Sequence, residues 1–443
     1  MIEKIKKYDQ RIGFSEKGRE YTYAQIIHMI RTVQWMIEAE RKQEIGICMS
    51  HGIRYAVYML AAVEAGCQVY LLHPNIRSNT LEFLEKRHVM IYTDDVTYLN
   101  IKELYPDDCL YRTEPTSVNS DRVSKNSKDF MANIILTTSG TTSTRAKFVS
   151  IPFNNIMLKS EMIADYFAIT NTDKTLLISP LCFVQSVWAM LIHLVRGGNV
   201  YFDTFKPRYF NEILRENKIT TLITTPSVIR GIIKENQSSY FLRLLSIGGD
   251  FMDKKLLEEL KEKWPDVSYA NVYGATETCA GDAIFIPRKF CKMDPTFLSL
   301  GKPTRYSRIF ITDECDNLLE PGQEGIICIQ SPFLIDHYYQ TDTLIRNEKG
   351  YFKTYDIGYI DREGFLFYRG RASSIIVYNG EKISSYEIEN LIYQIEGVKE
   401  NVVIGEKHEV YGQIPVAYIV ADERINEDVV RNFLRSRLEK YEV

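Results

Sequence analysis

A run of hydroxyl side chains follows a predicted β-strand in the first third of the chain. Residues 134–148 read IILTTSGTTSTRAKF, with seven Ser or Thr residues and one glycine after the apolar start. Backbone N–H groups and hydroxyls in such a loop can surround anionic oxygens, and Arg145 and Lys147 add positive charge. The run therefore predicts a phosphate loop, whose candidate ligands are Thr138, Ser139, Gly140, Thr141, Thr142 and Lys147.

This loop does not have the spacing of a P-loop ATPase. Counted from Gly140, that motif would require a glycine at position 145, where this chain has Arg145. A solvated Ser/Thr-rich turn is the alternative that the segment alone leaves open.

A second polar motif ends another predicted strand. Residues 271–277 read NVYGATE and overlap the end of a predicted strand at 267–272. Ligand sites in open α/β sheets lie at the carboxyl ends of the strands. Two polar loops in this position therefore indicate one shared crevice.

The elements that must position these loops are strands alternating with amphipathic helices. Strands are predicted at 45–49, 68–72, 134–138, 175–178, 200–202, 221–224, 244–247 and 267–272. This alternation is typical of parallel sheets wrapped by helices. After about residue 282, short strands separated by turn residues predict an antiparallel module.

The last unit begins near Arg371. It contains strand patterns at 374–378, 401–405 and 415–420 and helix patterns at 386–395 and 426–441. We therefore predict an α/β fold with a large N-terminal domain, residues 1–373, of parallel sheets wrapped by helices with an added antiparallel β module. A small, mobile α+β C-terminal domain is predicted for residues 374–443.

Composition excludes several classes of protein. The 443 residues carry 54 Lys and Arg against 58 Asp and Glu, a net charge of −4, unlike a dedicated nucleic-acid binder or a polybasic membrane protein. The eight cysteines are scattered with no C-x-x-C pair, which argues against a disulfide framework or a structural zinc site. No apolar run approaches the roughly 20 residues that span a bilayer. We predict a cytoplasmic protein with no nucleic-acid partner and no membrane span.

The motifs, taken in order, resemble those of the adenylate-forming superfamily, which contains acyl-CoA synthetases, firefly-type luciferases and peptide-synthetase adenylation domains. The hydroxyl run resembles the family's phosphate loop, residues 271–277 match its N-x-Y-G-x-T-E motif, and TYD at 354–356 resembles its T-G-D motif. Residues 370–389 resemble its G-R-x-x-D-x-I-x-x-x-G-x-x-I-x-x-x-E-I-E run. LAAVEAG at 60–66 resembles its L-A-x-x-x-A-G helix end, so the similarity spans nearly the whole chain.

The resemblance implies a site for ATP. Tyr273 would stack on adenine, and Asp356 would accept both ribose hydroxyls. Thr276 would contact the α-phosphate, Glu277 would hold Mg²⁺, and Arg371 would add charge near ribose and phosphate. The catalytic candidates are thus Thr276, Glu277 and Arg371; the further nucleotide-binding candidates are Gly248, Gly249, Asp250, Asn271, Tyr273, Gly274 and Asp356. A capping role for the aspartate and a packing role for the tyrosine are the structural alternatives.

The implied reaction has two steps. A carboxylate attacks the α-phosphorus of ATP to give acyl-AMP and pyrophosphate, and a thiol of coenzyme A or of a carrier protein's phosphopantetheine then attacks the acyl-AMP. Positioning and neutralisation of phosphate charge carry most of the first step, which needs no protein nucleophile.

Several positions depart from the family pattern. Ser143 replaces the glycine that usually follows T-T, and the basic residue of the loop comes as Arg145 or as Lys147, one place later than expected. Tyr355 replaces the glycine before the ribose aspartate. Ser374 stands at the family's hinge position, where it can still serve because a hinge requires only backbone freedom.

The family's adenylation lysine is not found in this sequence. It lies in a G-K motif some tens of residues beyond an L-x-x-Y segment resembling residues 438–441, whereas the sequence stops at Val443. We therefore expect a truncated C-terminal domain, and a chain that binds ATP but forms acyl-AMP slowly.

The substrate class follows from residues 183–188, FVQSVW. In peptide-synthetase adenylation domains an aspartate in the matching F-D-x-S segment pairs with the substrate's α-ammonium, and Val184 stands in its place. A buried ammonium without a partner is unfavourable. We expect a carboxylic acid without an α-amino group, aliphatic or aryl, in a pocket lined by Phe183, Val184 and Trp188. Ordinary helix packing is the alternative for Phe183 and Trp188.

The sequence is compatible with two functions. The first is an ATP-dependent acid–thiol ligase that uses coenzyme A or an acyl or peptidyl carrier protein. The second is a non-catalytic nucleotide- or acyl-binding protein derived from such ligases, suggested by Ser143, Tyr355, Ser374 and the missing lysine. A luciferase-like oxidase is a minor option.

Overall fold

The structure is a computed structural model. It describes residues 1–113, 132–138, 147–233, 241–249, 252–290 and 294–438. Within these ranges the chain forms four β-sheets and twelve α-helices. No described helix is both long and apolar enough to cross a bilayer, and the seven cysteines in the described part of the chain are all free thiols.

A nine-stranded sheet forms the centre of the N-terminal region. Six adjacent strands are parallel, and antiparallel strands cover both edges in the order β15-β14-β13-β12-β11-β9-β10-β1-β2. The bounds are β1 Ile12–Glu16, β2 Arg19–Thr22, β9 Lys174–Leu177, β10 Asn199–Phe202, β11 Thr221–Thr224, β12 Leu244–Gly248, β13 Ser268–Tyr273, β14 Ala283–Lys289 and β15 Lys302–Pro303.

A six-stranded sheet, ordered β6-β5-β3-β4-β7-β8, is parallel except at its β7–β8 edge. Its strands are β3 Glu44–Cys48, β4 Gln68–Leu72, β5 Met90–Thr93, β6 Leu110–Arg112, β7 Asn133–Thr138 and β8 Lys147–Pro152.

Two antiparallel sheets complete the fold. The third sheet contains β16 Arg308–Thr312, β17 Gly325–Gln330, β18 Phe352–Ile360 and β19 Leu366–Arg371. The fourth, ordered β21-β20-β23-β22, contains β20 Ile375–Tyr378, β21 Glu381–Ser384, β22 Val398–His408 and β23 Gly412–Ala421.

The helices wrap the sheets and begin at polar caps. The side chains of Thr22 and Asp253 accept backbone N–H groups at the first turns of α2 and α10, which stabilises helix starts. The helices are α1 Ile2–Ile5, α2 Tyr23–Ala39, α3 Ile53–Glu64, α4 Ser78–Glu85, α5 Asp95–Ile101, α6 Phe153–Tyr166, α7 Val184–Leu194, α8 Phe210–Glu216, α9 Pro226–Ile232, α10 Lys254–Lys263, α11 Ser385–Tyr393 and α12 Glu427–Arg435.

The main core lies around helices α2, α3, α6 and α7. Residues 55–62 of α3 are all buried, as expected of a helix that is apolar on every side. Smaller clusters lie under the third and fourth sheets. The predicted fold class is therefore confirmed.

One predicted element is too long. The pattern at 426–441 predicts a helix through Tyr441, but α12 ends at Arg435 and residues 436–438 form a turn. Residues 439–441 lie outside the described residues. The amide of Arg437 then bonds the Leu434 carbonyl at three-residue spacing, so the chain tightens into a turn after the buried Leu434.

Candidate active site

The motif at 271–277 lies where β13 ends. Asn271 is buried within the nine-stranded sheet, and its amide nitrogen lies 3.4 Å from the Tyr269 hydroxyl. The side chain is thus held in the sheet, two residues before β13 ends at Tyr273.

Two glycines at the neighbouring end of β12 permit a close approach of the chain. A Cβ on Gly248 would lie 2.9 Å from the Val272 carbonyl, and Gly249 has φ +80° with its Cβ position 3.1 Å from the Gln185 amide oxygen. Both positions therefore favour glycine. Gly248 pairs with Val272, the residue before Tyr273. Asp250 lies outside the described residues.

Tyr273, Asp356 and Arg371 meet at this end of β13. The Tyr273 hydroxyl donates to Asp356 Oδ2 at 2.8 Å, and Arg371 Nε lies 3.1 Å from Asp356 Oδ1. Asp356 and Arg371 are directly paired across strands β18 and β19. The sequence candidates for adenine, ribose and charge are thus brought into one cluster.

Burial sets the protonation behaviour of this cluster. Asp356 is 8% exposed, and desolvation raises the pKa of its carboxyl although the Arg371 charge opposes the rise. Burial and the adjacent carboxylate raise the pKa of the Tyr273 phenol well above its usual range, so Tyr273 acts as a donor. Each carboxylate oxygen has two lone pairs, so Asp356 can accept ribose hydroxyls in addition to these contacts.

Tyr355, directly before Asp356, occupies a left-handed backbone conformation. Its φ is +60°, and its side chain is 62% exposed. This region favours glycine, the residue that the family's T-G-D motif has at this position. Here a tyrosine is held in that conformation.

Thr276 and Glu277 lie on a short 3₁₀ turn, Thr276–Thr278, and both are half-buried. Glu277 Oε1 accepts a hydrogen bond from the Tyr338 hydroxyl at 2.9 Å, and its carbonyl accepts the Ile335 N–H at 3.2 Å. The segment around Tyr338 therefore fixes both the side chain and the backbone of Glu277.

Tyr338 also connects Glu277 to the end of the candidate phosphate loop. Lys147 Nζ lies 5.1 Å from the centre of the Tyr338 ring, within the range of a cation–π contact. Strand β7 ends at Thr138, which pairs with Lys147 at the start of β8. The intervening candidates Ser139, Gly140, Thr141 and Thr142 lie outside the described residues. The sequence did not predict a role for Tyr338, because the segment 335–340, IDHYYQ, matches none of the motifs.

The three candidate pocket residues have different environments. Phe183 precedes α7 and is 52% exposed, with its ring centre 6.4 Å from that of His73. Val184 is half-buried against the main core. Trp188 is 2% exposed within that core. Packing therefore accounts for Trp188 but not for Phe183; the pocket assignment itself stays a prediction.

The fourth sheet contacts the larger region mainly through α11. Lys255 Nζ donates to the Tyr393 carbonyl at 3.1 Å, the Ser384 hydroxyl to the Arg369 carbonyl at 3.0 Å, and the Tyr368 and Tyr386 rings lie 5.3 Å apart. Ser374 is exposed at the end of the 3₁₀ turn Ala372–Ser374 between β19 and β20. Its hinge role and the boundary at 374 stay predictions.

The metal candidate is a single carboxylate. No group of three or more His, Cys, Asp or Glu side chains suited to a metal occurs within the ranges given above. Mg²⁺ is commonly held by one or two carboxylates together with water and substrate phosphates, so Glu277 at a predicted triphosphate site fits this ion.

Comparison with known protein families decides the assignment. The model described as "AMP-binding enzyme" matches residues 3–339, and its C-terminal-domain model matches residues 387–443. The chain belongs to the AMP-binding enzyme family. Named relatives include a 2-succinylbenzoate–CoA ligase of Listeria monocytogenes, 26% identical over 96% of this chain and 90% of that protein. That of Bacillus licheniformis is 31% identical over 70% of this chain and 65% of that protein.

Solved structures of an AMP-binding enzyme show the same fold. The o-succinylbenzoate CoA synthetase of Bacillus subtilis, in complex with its acyl-adenylate OSB-AMP, has a TM-score of 0.87 and 22% identity over 100% of this chain and 92% of that one. A second structure of that enzyme contains ATP and a magnesium ion, with the same TM-score and 22% identity over 100% and 93%.

Proposed function

We propose that this chain is an ATP-dependent acid–CoA ligase. The carboxylate of its substrate attacks the α-phosphorus of ATP, which forms acyl-AMP and releases pyrophosphate. The sulfur of coenzyme A then attacks the acyl carbon, which forms the thioester and releases AMP. The observation that carries this proposal is the contact of Tyr273, Asp356 and Arg371 at the end of β13, in a member of the AMP-binding enzyme family.

The substrate we propose is an aryl carboxylic acid without an α-amino group, of the 2-succinylbenzoate type. Val184 offers no charge to an α-ammonium, and a buried cation without a partner is unfavourable. The relatives in Listeria and Bacillus are named for 2-succinylbenzoate. They are also named as CoA ligases, which favours coenzyme A over a carrier protein as the acceptor.

The nucleotide would be bound by residues at the ends of β12, β13 and β19 and in the middle of β18. The Tyr273 ring and the backbone of Gly248, Gly249 and Gly274 would surround adenine, with Asn271 holding the strand end in place. Asp356 would accept the ribose hydroxyls, and the Arg371 charge, 3.1 Å from its carboxylate, would extend toward the phosphates.

The phosphates are met by a different set of residues. Thr276 would donate to the α-phosphate, Lys147 would neutralise the outer phosphates, and Glu277 would hold Mg²⁺. When bound, Mg²⁺ neutralises charge on the triphosphate and orients the leaving pyrophosphate. These residues bind and orient the reactants, which can supply much of the barrier reduction for a displacement that needs no protein nucleophile.

A substrate panel tests the proposal. The chain is incubated for hours with MgATP and one of 2-succinylbenzoate, benzoate, hexanoate or phenylalanine, and pyrophosphate is measured. Thioester is then measured after addition of coenzyme A or a phosphopantetheine-loaded carrier protein. We expect acid-dependent pyrophosphate release that is strongest with 2-succinylbenzoate, and thioester with coenzyme A.

Matched variants make the panel specific. Asp356→Asn keeps the shape of the ribose candidate and removes its charge, so it should lower the rate by at least about tenfold, the effect of one charge-assisted hydrogen bond. Asp266→Asn removes an 89% exposed carboxylate and should change nothing. ATP binding without pyrophosphate release for any acid would instead favour the non-catalytic nucleotide-binding protein.

A further inference from the structure

A lysine and an aspartate form a fully buried ion pair behind the loop that carries Glu277. Lys159, on α6, is 0% exposed, and so is Asp282, the residue before β14. Lys159 Nζ lies 2.9 Å from Asp282 Oδ1 and 3.1 Å from the Gly281 carbonyl, and its ammonium lies 5.4 Å from the centre of the Phe333 ring. Neither residue belongs to a motif of the family as quoted above.

The Asp282 carboxylate joins three separate parts of the chain. Oδ1 also accepts the Ser307 hydroxyl at 2.6 Å, and Oδ2 accepts the hydroxyl of Thr278. Thr278 ends the 3₁₀ turn Thr276–Thr278, and its hydroxyl oxygen also accepts the Ala275 N–H at 3.3 Å. A Cβ on Gly274 would lie 2.6 Å from Asp282 Oδ2. The carboxylate is therefore packed directly against the motif that holds Thr276 and Glu277.

The backbone between this turn and Asp282 is in an uncommon conformation. Cys279, Ala280 and Gly281 have φ values of +64°, +55° and +67°. Two of them are not glycine, so the left-handed conformation costs free energy and persists only where other contacts impose it. Strained backbone of this kind clusters at functional sites. The amides of Ala280 and Asp282 bond the carbonyls of Ala275 and Tyr273, each at 2.8 Å.

We infer that Lys159 and Asp282 are positioning residues for the adenylation step: their ion pair, through Thr278, holds Thr276 and Glu277 in the orientation that binds magnesium and triphosphate. A buried ion pair by itself is weak evidence of a contribution to stability, because an apolar replacement is often as stable. What distinguishes this pair is that its carboxylate holds the one turn bearing the α-phosphate and metal candidates. The functional half of the inference rests on the proposed function.

The test compares variants that remove different parts of this network. Lys159→Met removes the charge, Thr278→Val removes the hydroxyl at constant shape, and Thr278→Ser keeps it. Ser307→Ala removes one hydrogen bond without leaving a buried charge, so it remains informative if Lys159→Met does not fold. Arg243→Met is the matched control, because it breaks the Arg243–Asp173 ion pair at the opposite end of β12, where Asp173 is also buried.

Hydrogen exchange of the peptide spanning residues 271–283 is measured below the melting temperature of every variant. We expect Lys159→Met and Thr278→Val to accelerate its exchange by about 100-fold, as local opening does, with peptides of β11 unchanged. Ser307→Ala should accelerate exchange in the same peptide, but to a smaller extent, because it removes only one of the hydrogen bonds to Asp282. In Thr278→Ser and Arg243→Met the peptide 271–283 should stay protected from exchange. Exchange that rises equally in all peptides, or not at all in residues 271–283, would overturn the positioning role.

MgATP affinity and steady-state kinetics test the functional half. Lys159→Met and Thr278→Val should each weaken the binding of MgATP by about tenfold and lower kcat for pyrophosphate release. In the double variant the two losses of affinity should not add, since both substitutions act through Asp282. Adenosine affinity should stay the same. Unchanged MgATP affinity despite a mobile turn would overturn the link to the metal site. Absence of acid-dependent pyrophosphate release in the unmodified chain would contradict the proposed function but leave the exchange and MgATP results decisive.

Discussion

The Tyr338 hydroxyl donates a hydrogen bond to the carboxylate of Glu277, 61 positions earlier in the chain, with Oη 2.9 Å from Oε1. The face of the same ring lies 5.1 Å from the Lys147 ammonium. One tyrosine therefore orients the carboxylate proposed to hold Mg²⁺ and the cation proposed to meet the phosphates.

Removing the Tyr338 hydroxyl should weaken the response to magnesium. In Tyr338→Phe the ring that faces Lys147 remains, but Glu277 loses a hydrogen bond to a charged group, a loss of about 1.5–3 kcal/mol at most. We expect the Mg²⁺ concentration for half-maximal pyrophosphate release to rise about tenfold. Tyr338→Leu also removes the ring and should additionally weaken ATP binding. Equal Mg²⁺ dependence in the phenylalanine variant and the unmodified chain would contradict this role.

The acidic limit of nucleoside binding should depend on Arg371. Burial raises the pKa of the Asp356 carboxyl, and the positive charge of Arg371 opposes this rise. Ribose binding needs the ionised carboxylate, so it is present above this pKa and is lost as the pH falls through it. Arg371→Gln removes the opposing charge, and the loss should begin at a higher pH.

Adenosine is the probe for this experiment, because it has no phosphate to titrate. Its affinity is measured by calorimetry across the acidic range. Arg369→Gln is the control, since Arg369 pairs with the exposed Glu324 rather than with Asp356. An acidic midpoint that does not move in Arg371→Gln would mean that Asp356 does not control adenosine binding.

A carboxylate at position 184 should alter substrate choice. Val184→Asp supplies a partner for an α-ammonium and repels an anionic acid. Val184→Asn introduces a side chain of the same shape as aspartate but without its charge. In ATP–pyrophosphate exchange we expect the aspartate variant to lose activity with 2-succinylbenzoate and to gain a signal with phenylalanine, while the asparagine variant gains none. The same loss of 2-succinylbenzoate activity in both variants would point to shape rather than charge.

Glycine should be better tolerated than alanine at position 355. A side chain at φ +60° costs about 1–2 kcal/mol, which glycine does not incur. Tyr355→Gly should therefore be more stable than Tyr355→Ala by about 1 kcal/mol after the greater entropy of unfolded glycine is subtracted. Urea unfolding of the two variants checks this, and alanine as the more stable of the two would contradict the strained backbone.

Sequence patterns predicted the fold class, and they singled out Tyr273 and Asp356 as site candidates, because motif order and strand alternation are local properties of the chain. They did not predict which side chains touch. Tyr273 and Asp356 are 83 residues apart, and only the packing of the third sheet against the end of β13 brings them together. Lys159 lies in a helix whose pattern gives no sign that its ammonium is buried. The sequence also does not predict the contact of Tyr338 with Glu277, since that contact depends on the path of the segment around Ile335.

The fate of the carboxylate oxygen tests the central claim most directly. The chain is incubated with MgATP, coenzyme A and 2-succinylbenzoate carrying ¹⁸O in its carboxylates, and the AMP is analysed by mass spectrometry. If the carboxylate attacks the α-phosphorus and coenzyme A then takes the acyl group, the attacking oxygen stays on phosphorus, and each AMP carries one ¹⁸O. Formation of AMP or thioester without ¹⁸O in the AMP would contradict the account.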